Sequence, residues 1–222
     1  MKICAISDLH GKLPKIEKCD VVLIAGDIVP LYLQFKLSTS TIWFLNDFVE
    51  WIKELPCKYV YMIAGNHDCV LEKAPFIGYA IEELIQYKFT YMKGGEVYTI
   101  PFEDNDYTIY GTPYCHQFRD WAFMESEDWL KGFYDNIPYK VDIVLSHDTP
   151  CLGDLDLLPN GKHIGGVSLA EAIKEKKPNY VFCGHLHECK DKYLKLGRTE
   201  IYNVSILDDK YHMRYQPTYV EI

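Results

Sequence analysis

Five apolar runs in the sequence each end in a short cluster of side chains able to ligate a metal. Ile3-Cys4-Ala5-Ile6-Ser7 leads to Asp8-Leu9-His10, and Val21-Val22-Leu23-Ile24-Ala25 leads to Gly26-Asp27. Tyr61-Met62-Ile63-Ala64 runs into Gly65-Asn66-His67-Asp68, Val141-Asp142-Ile143-Val144-Leu145 into Ser146-His147-Asp148, and Val181-Phe182-Cys183 into Gly184-His185-Leu186-His187. In extended chain, residues two apart point to the same face, so Asp8 with His10, and His185 with His187, form two-pronged donor pairs. Glycines at 26, 65 and 184 stand just before candidate ligands, where the absence of a Cβ permits close backbone approach. Oxygen and imidazole donors without thiolate suit Mn, Fe, Zn or Ni better than the all-oxygen preference of Ca or Mg.

Such donors act together only if the fold gathers the five strand ends. Short runs rich in β-branched residues alternate with helix-like segments, the pattern of an α/β protein. Strands are expected at 3–7, 21–25, 59–64, 96–100, 107–110, 141–146, 180–183 and 200–204, with helices at 41–54, 76–88, 126–134 and 168–176. In the first helix Ile42, Leu45, Phe48, Val49 and Ile52 recur near the 3.6-residue period of an amphipathic face. Segments 96–100 and 107–110 are joined across 101–106 as a hairpin, and a second hairpin follows Gly184 with Leu196-Gly197-Arg198-Thr199 as its turn. A mixed and doubled sheet system is therefore expected, with ligands beyond the carboxyl ends of its strands. The stretch 150–166 reads as a long functional loop.

A chain of 222 residues is within the range of a single domain spanning 1–222. No window approaches the ~18 consecutive apolar residues of a membrane span, and the N-terminus lacks the apolar core of a secretory signal. Eight cysteines without a CxxC pair read as reduced thiols, which places the protein in a cytoplasm. A net charge of −9 with three arginines, Arg119, Arg198 and Arg214, argues against a broad surface for polymeric nucleic acid. A phosphorylated ligand would need positive charge from another source, which bound cations supply.

The five clusters, in this order, resemble the calcineurin-like metallophosphoesterase superfamily, whose pattern runs D-x-H, G-D, G-N-H-D/E, H, G-H-x-H, and the match spans residues 6 to 187. The resemblance implies a four-layer αββα sandwich of two mixed β-sheets flanked by helices, with a two-metal centre at the strand ends. By the same resemblance Asp8, His10, Asp27 and His187 look like the ligands of one divalent ion. Asp27, Asn66, His147 and His185 look like those of the other, with Asp27 bridging and manganese as the expected metal, or Fe, Zn or Ni. The stretch Ile109-Tyr110-Gly111-Thr112-Pro113-Tyr114, then Trp121-Ala122-Phe123, and Cys183-Gly184-His185-Leu186-His187-Glu188 are similar to a narrower branch of small metallophosphoesterase-domain-containing proteins. That branch implies a phosphodiesterase acting on a small, cyclic-nucleotide-like substrate. Asp148-Thr149-Pro150 departs from it, standing where Gly-Pro-Pro is usual.

Within this reading His67 is expected to face the phosphate, stabilising charge or protonating the leaving alkoxide, because an imidazole titrates near operating pH. Asp68 is expected either to orient His67 by a hydrogen bond or to cap the helix that follows. His116 and His163 are candidate substrate contacts, with exposed loop positions as the alternative. Tyr114, Trp121 and Phe123 are either stacking surfaces or core. Rival functions are a phosphomonoesterase, including a Ser/Thr protein phosphatase, and a non-catalytic interaction module. Gly26-Asp27 continues as Ile28-Val29-Pro30 without the arginine of protein phosphatases, and every ligand position is filled.

Overall fold

The computed structural model describes residues 1–190 and 192–222. In chain order its strands are β1 (Lys2–Ile6), β2 (Val21–Ala25), β3 (Tyr59–Ile63), β4 (Phe89–Tyr91), β5 (Val97–Phe102), β6 (Asn105–Thr112), β7 (Cys115–His116), β8 (Met124–Glu125), β9 (Ile143–Ser146), β10 (Tyr180–Cys183), β11 (Tyr193–Leu196), β12 (Thr199–Asn203) and β13 (Thr218–Glu221). The α-helices are α1 (Leu37–Trp43), α2 (Val49–Glu54), α3 (Cys69–Lys73), α4 (Phe76–Ile85), α5 (Glu127–Tyr134) and α6 (Val167–Lys176).

Of two large sheets one has the order β13-β1-β2-β3-β4 and the other β11-β12-β10-β9-β6-β5, while β7 and β8 pair in parallel as a small sheet apart. Both large sheets are mixed. β1 to β4 run parallel with β13 antiparallel at the edge, while β12, β10, β9 and β6 run parallel between the antiparallel edges β11 and β5.

Alternation along the strands builds the layers. Ile3, Ala5, Leu23 and Ile63 face inward against Ile109, Ile143, Leu145 and Phe182 of the second sheet. Their neighbours Cys4, Ile6, Ile24 and Met62 point the other way, onto Phe44, Phe48, Ile52 and Ile81 of the first helical layer. On the far side, Tyr110, Val144 and Val181 pack on Leu130, Tyr134, Leu169 and Ile173 of α5 and α6. The order helix, sheet, sheet, helix is the four-layer αββα sandwich.

Three local differences from the sequence expectations have physical causes. The helix at 41–54 begins earlier, at Leu37, and carries a π-helical turn over Phe44–Phe48. Its wider turn shifts the phase, so Ile42 is exposed while Phe44 and Phe48 are buried with their rings 5.4 Å apart. The hairpin at 101–106 is tighter than expected, because pairing continues through Pro101↔Asp106 and Phe102↔Asn105 and leaves Glu103 and Asp104 as the turn. Pro101 is tolerated because β5 is an edge strand. Lastly, β4 and β13 complete the first sheet from segments whose apolar content is too short to stand out.

All eight cysteines are free thiols. No described helix is long and apolar enough to cross a membrane.

The phase shift has a measurable consequence. Phe48→Ala is expected to cost about 3–5 kcal/mol of stability and Ile42→Ala to stay within about 0.5 kcal/mol, read from chemical denaturation midpoints. Equal losses at the two positions would contradict the π turn.

Candidate metal centre

The five clusters converge at one end of the sandwich. The Asp8 side chain is fully buried, its Oδ1 lying 3.3 Å from His187 Nε2 while both oxygens accept from the His185 backbone N–H at 3.1 Å. Ser205 donates its hydroxyl to the same carboxylate. Asp27 is placed between two sets of imidazoles. Its Oδ2 lies 3.6 Å from His10 Nε2 and 3.8 Å from His67 Nε2, whereas Oδ1 lies 3.4 Å from His147 Nε2 and accepts the His67 backbone N–H at 2.8 Å. Asn66 Oδ1 is 3.0 Å from His147 Nε2. Rings of His147 and His185 are 5.2 Å apart between centroids.

Backbone carbonyls fix which nitrogen two of the candidate ligand histidines offer. His147 Nδ1 donates to Ala25 O at 2.8 Å and His187 Nδ1 donates to Asp208 O at 3.1 Å, so Nε2 of each ring is left for the centre. Conformation at the strand ends is equally constrained. Asp8, His10, Asp27 and His185 all have positive φ, between 41° and 70°, in the left-handed region that non-glycine residues avoid. Each such residue costs about 1–3 kcal/mol and marks a site where geometry is imposed by the surroundings. Gly26, at φ +92°, closes the same turn, and a Cβ there would lie 2.6 Å from His147 Nδ1.

The arrangement fits divalent cations on its own chemistry. Both ring nitrogens of His10 are buried without a hydrogen-bond partner among the described residues, which leaves either one available to a cation. Four overlapping donor groups, Asp8–His10–His187, Asp8–Asp27–His147, His10–Asp27–His67 and Cys115–His147–His185, each place their ligand atoms within 4.8 Å of one another. Without cations the charges balance internally. Burial opposes a charge on His147, yet Asp27 beside it pushes the imidazole up to about 10, and Asp8 similarly raises the buried His187 to about 9. Burial carries His10 down to about 3 and, with the neighbouring His147, His185 down to about 4. Despite their burial, Asp27 and Asp8 are held well below the usual carboxylate range by His147 and His187 respectively.

Around this cluster is a cavity of about 870 Å³, lined by His67, His116, Phe118, Trp121, His163 and Tyr211 among others. His67 stands on the His10 side, its Nδ1 held by Gln34 Oε1 and its ring edge-on to Trp121 at 4.0 Å. On the His185 side is His116, whose Nδ1 lies 3.0 Å from Asp148 Oδ2 and whose backbone N–H donates to the same oxygen at 3.1 Å. His163 also borders the cavity, its Nδ1 2.9 Å from Asp156.

Asp68 makes neither contact expected of it. Its carboxylate accepts the backbone N–H groups of Ile28, Val29 and Gly65, each at 2.9 Å, and it caps α3 by position without a side-chain bond. The reason is local: the Gly26-Asp27 turn leaves amides pointing into the core, and a buried carboxylate satisfies several at once. Burial and the nearby Asp27 push this carboxyl up to about 7. Sequence reasoning missed Gln34 and Ser205, neither of which has a motif, and Asp148 gained a role only through the departure from Gly-Pro-Pro.

Comparison with known proteins agrees with this geometry. The model of the calcineurin-like phosphoesterase family matches residues 1–189. Among curated proteins, a UPF0046 protein of Caenorhabditis elegans is 27% identical over 100% of this chain and 60% of its own length. Human metallophosphoesterase domain-containing protein 1 is 26% identical over 100% of this chain and 71% of its own. This chain thus spans about two thirds of the length of these relatives. Among solved structures, TT1561 of Thermus thermophilus superposes with a TM-score of 0.63 at 18% identity, covering 92% of this chain and 90% of that one. Phosphopantetheinyl hydrolase from Mycobacterium tuberculosis gives 0.61 at 13% identity over 95% and 90%. At these identities the structures establish a shared fold.

Cations held through His147 and His187 would displace the protons these rings carry in the metal-free protein below about pH 9. Apparent affinity for Mn²⁺ is therefore expected to fall as pH drops from 8.5 to 6, by about tenfold per unit for each proton displaced. Calorimetric titration in buffers of different ionisation enthalpy measures the proton release, and an affinity flat across this range would contradict the assignment.

Proposed function

The chain belongs to the calcineurin-like phosphoesterase family, and on that premise we propose that it is a metal-dependent phosphoric ester hydrolase, acting as a phosphodiesterase on a small, cyclic-nucleotide-like substrate. Asp8, His10, Asp27 and His187 would hold one divalent ion and Asp27, Asn66, His147 and His185 a second, with manganese as the proposed metal. Bound there, the ions supply Lewis acidity and the positive charge that phosphoryl transfer to water requires.

The observation that carries the preference for a diester is the charge of the cavity wall. Arg119 is the one arginine or lysine among the described lining residues, against Glu127, Glu188 and Asp209 as well as Asp27. A monoester brings close to two negative charges at neutral pH and a diester one, so this acidic rim favours the diester. Rings of Phe118, Trp121 and Tyr211 offer flat apolar surfaces for the groups esterified to the phosphate. The cavity volume of about 870 Å³ is in the range of small-molecule sites.

His67 is the proposed catalytic side chain. With Nδ1 turned to Gln34, its Nε2 points toward the centre, 3.8 Å from Asp27 Oδ2, where it would hydrogen-bond a non-bridging oxygen of a bound phosphate or pass a proton to the leaving alkoxide. Asp68 serves that step indirectly, by bracing the loops that carry Asp27 and Asn66. His116, fixed by Asp148, and His163 are proposed substrate contacts on the opposite wall.

A division of labour follows between two adjacent residues. Asn66→Ala is expected to lower manganese occupancy, whereas His67→Ala should keep its metal and lose about 10²–10⁴-fold in kcat. Metal analysis beside hydrolysis of a chromogenic diester and monoester, before and after chelation, reads both. Equal loss of metal in the two variants contradicts the assignment of His67, and faster monoester turnover contradicts the diester preference.

A further inference from the structure

Outside the proposed centre, Cys151, Asp156 and His163 come together in the loop between β9 and α6, and we propose that they form a separate site for a zinc-like ion. One ligand atom from each of the three lies within 4.8 Å of the others. Asp156 is fully buried, with Oδ1 2.9 Å from His163 Nδ1 and Oδ2 accepting the Gly165 N–H at 3.0 Å. Cys151 is half-buried beside this pair, its Sγ within 4.8 Å of the ligand atoms of Asp156 and His163.

The loop is built to hold these groups still. A bridge between Pro150 and Gly166 pins the backbone beside Cys151, with Cys151 N donating to Gly166 O at 3.0 Å. A second bridge, Leu157 to His163, closes a small hairpin in which Leu158 N donates to Lys162 O at 2.9 Å and Ile164 N donates to Asp156 O at 3.3 Å. Gly165 lies so close that a Cβ there would meet the Asp156 Cβ at 2.7 Å. At the far end Glu127 accepts the first amides of α6, from Val167 at 3.0 Å and Ser168 at 2.8 Å.

Donor chemistry selects the ion. Thiolate, carboxylate and imidazole together suit zinc or cobalt(II) in tetrahedral geometry, and metal–ligand bonds of about 2.0–2.3 Å are reached from the observed spacing by shifts of about an ångström. Binding replaces the hydrogen bonds: the thiol releases its proton to solvent, His163 ligates through neutral Nδ1, and Asp156 binds as carboxylate. One thiolate and one carboxylate neutralise the dication, so the buried side of the site carries no net charge. The half-exposed His163 leaves a coordination position open to solvent. Because His163, Ile164 and Gly165 also line the main cavity, an ion here sets that wall in place. The site shares no residue with the proposed manganese ligands, and of the proposed substrate contacts it takes only His163.

Cobalt(II) gives the test, because a thiolate ligand produces a charge-transfer band in the near ultraviolet that oxygen and nitrogen ligands do not. The full chain, stripped of metal and titrated with Co²⁺, is expected to develop this band and to lose it on adding Zn²⁺. Cys151→Ser should abolish it. His163→Ala, which removes a half-exposed side chain, should raise the Co²⁺ concentration needed at least tenfold. Cys115→Ser should leave the band intact, although Cys115 Sγ lies within 4.8 Å of the ligand nitrogens of His147 and His185. Absence of the band, its survival in Cys151→Ser, its loss in Cys115→Ser, or an unchanged Co²⁺ requirement in His163→Ala would each overturn the proposal. None of these readouts depends on phosphoester turnover.

Discussion

Asp27 is 2% exposed, and each of its carboxylate oxygens faces imidazole nitrogens from a different side: His10 and His67 at Oδ2, His147 at Oδ1. A buried carboxylate survives folding only with compensating charge, and a second one, Asp8, is placed in the same cluster. The surrounding imidazoles supply that compensation in the metal-free chain, two of them as cations. The same donors are available to ions once those protons leave. Everything else about this end of the fold serves the placement of that one side chain.

That service is visible in the backbone. Four candidate ligands occupy left-handed conformations, which only a rigid frame sustains. The frame consists of parallel strands β1, β2 and β3, whose ends align because their residues are paired in register, and of the β9–β10 pair facing them across the inter-sheet core. Asp68 ties two of these strand ends together by accepting amides from both loops. Ala25 and Asp208 carbonyls orient His147 and His187. Removing any of these supports acts on the centre at a distance from the ligands themselves.

Much of this was legible in the sequence, for a physical reason. Strands buried on both faces read as continuous apolar runs, and the polar residues that end them stand out against that background, as Asp8, Asp27, Asn66, His147 and His185 do. What was hidden involves groups without a sequence signature. A carbonyl that sets a histidine tautomer belongs to any residue, and here it is Ala25. Ser205 and Gln34 arrive at the site from loops whose course depends on tertiary packing. The π turn at Phe44–Phe48 preserves the apolar composition of a helix while changing which residues are buried. Asp68 was read from its neighbours His67 and the following helix, whereas its partners Ile28 and Val29 are about 40 residues away in the chain.

We propose that Asp27 is shared by two cations. Anomalous diffraction from crystals soaked in Mn²⁺ tests it directly. Sharing predicts two peaks about 3.5–4 Å apart with the Asp27 carboxylate between them, one beside Asp8, His10 and His187 and the other beside Asn66, His147 and His185. A single peak, or two peaks of which only one contacts Asp27, would contradict it.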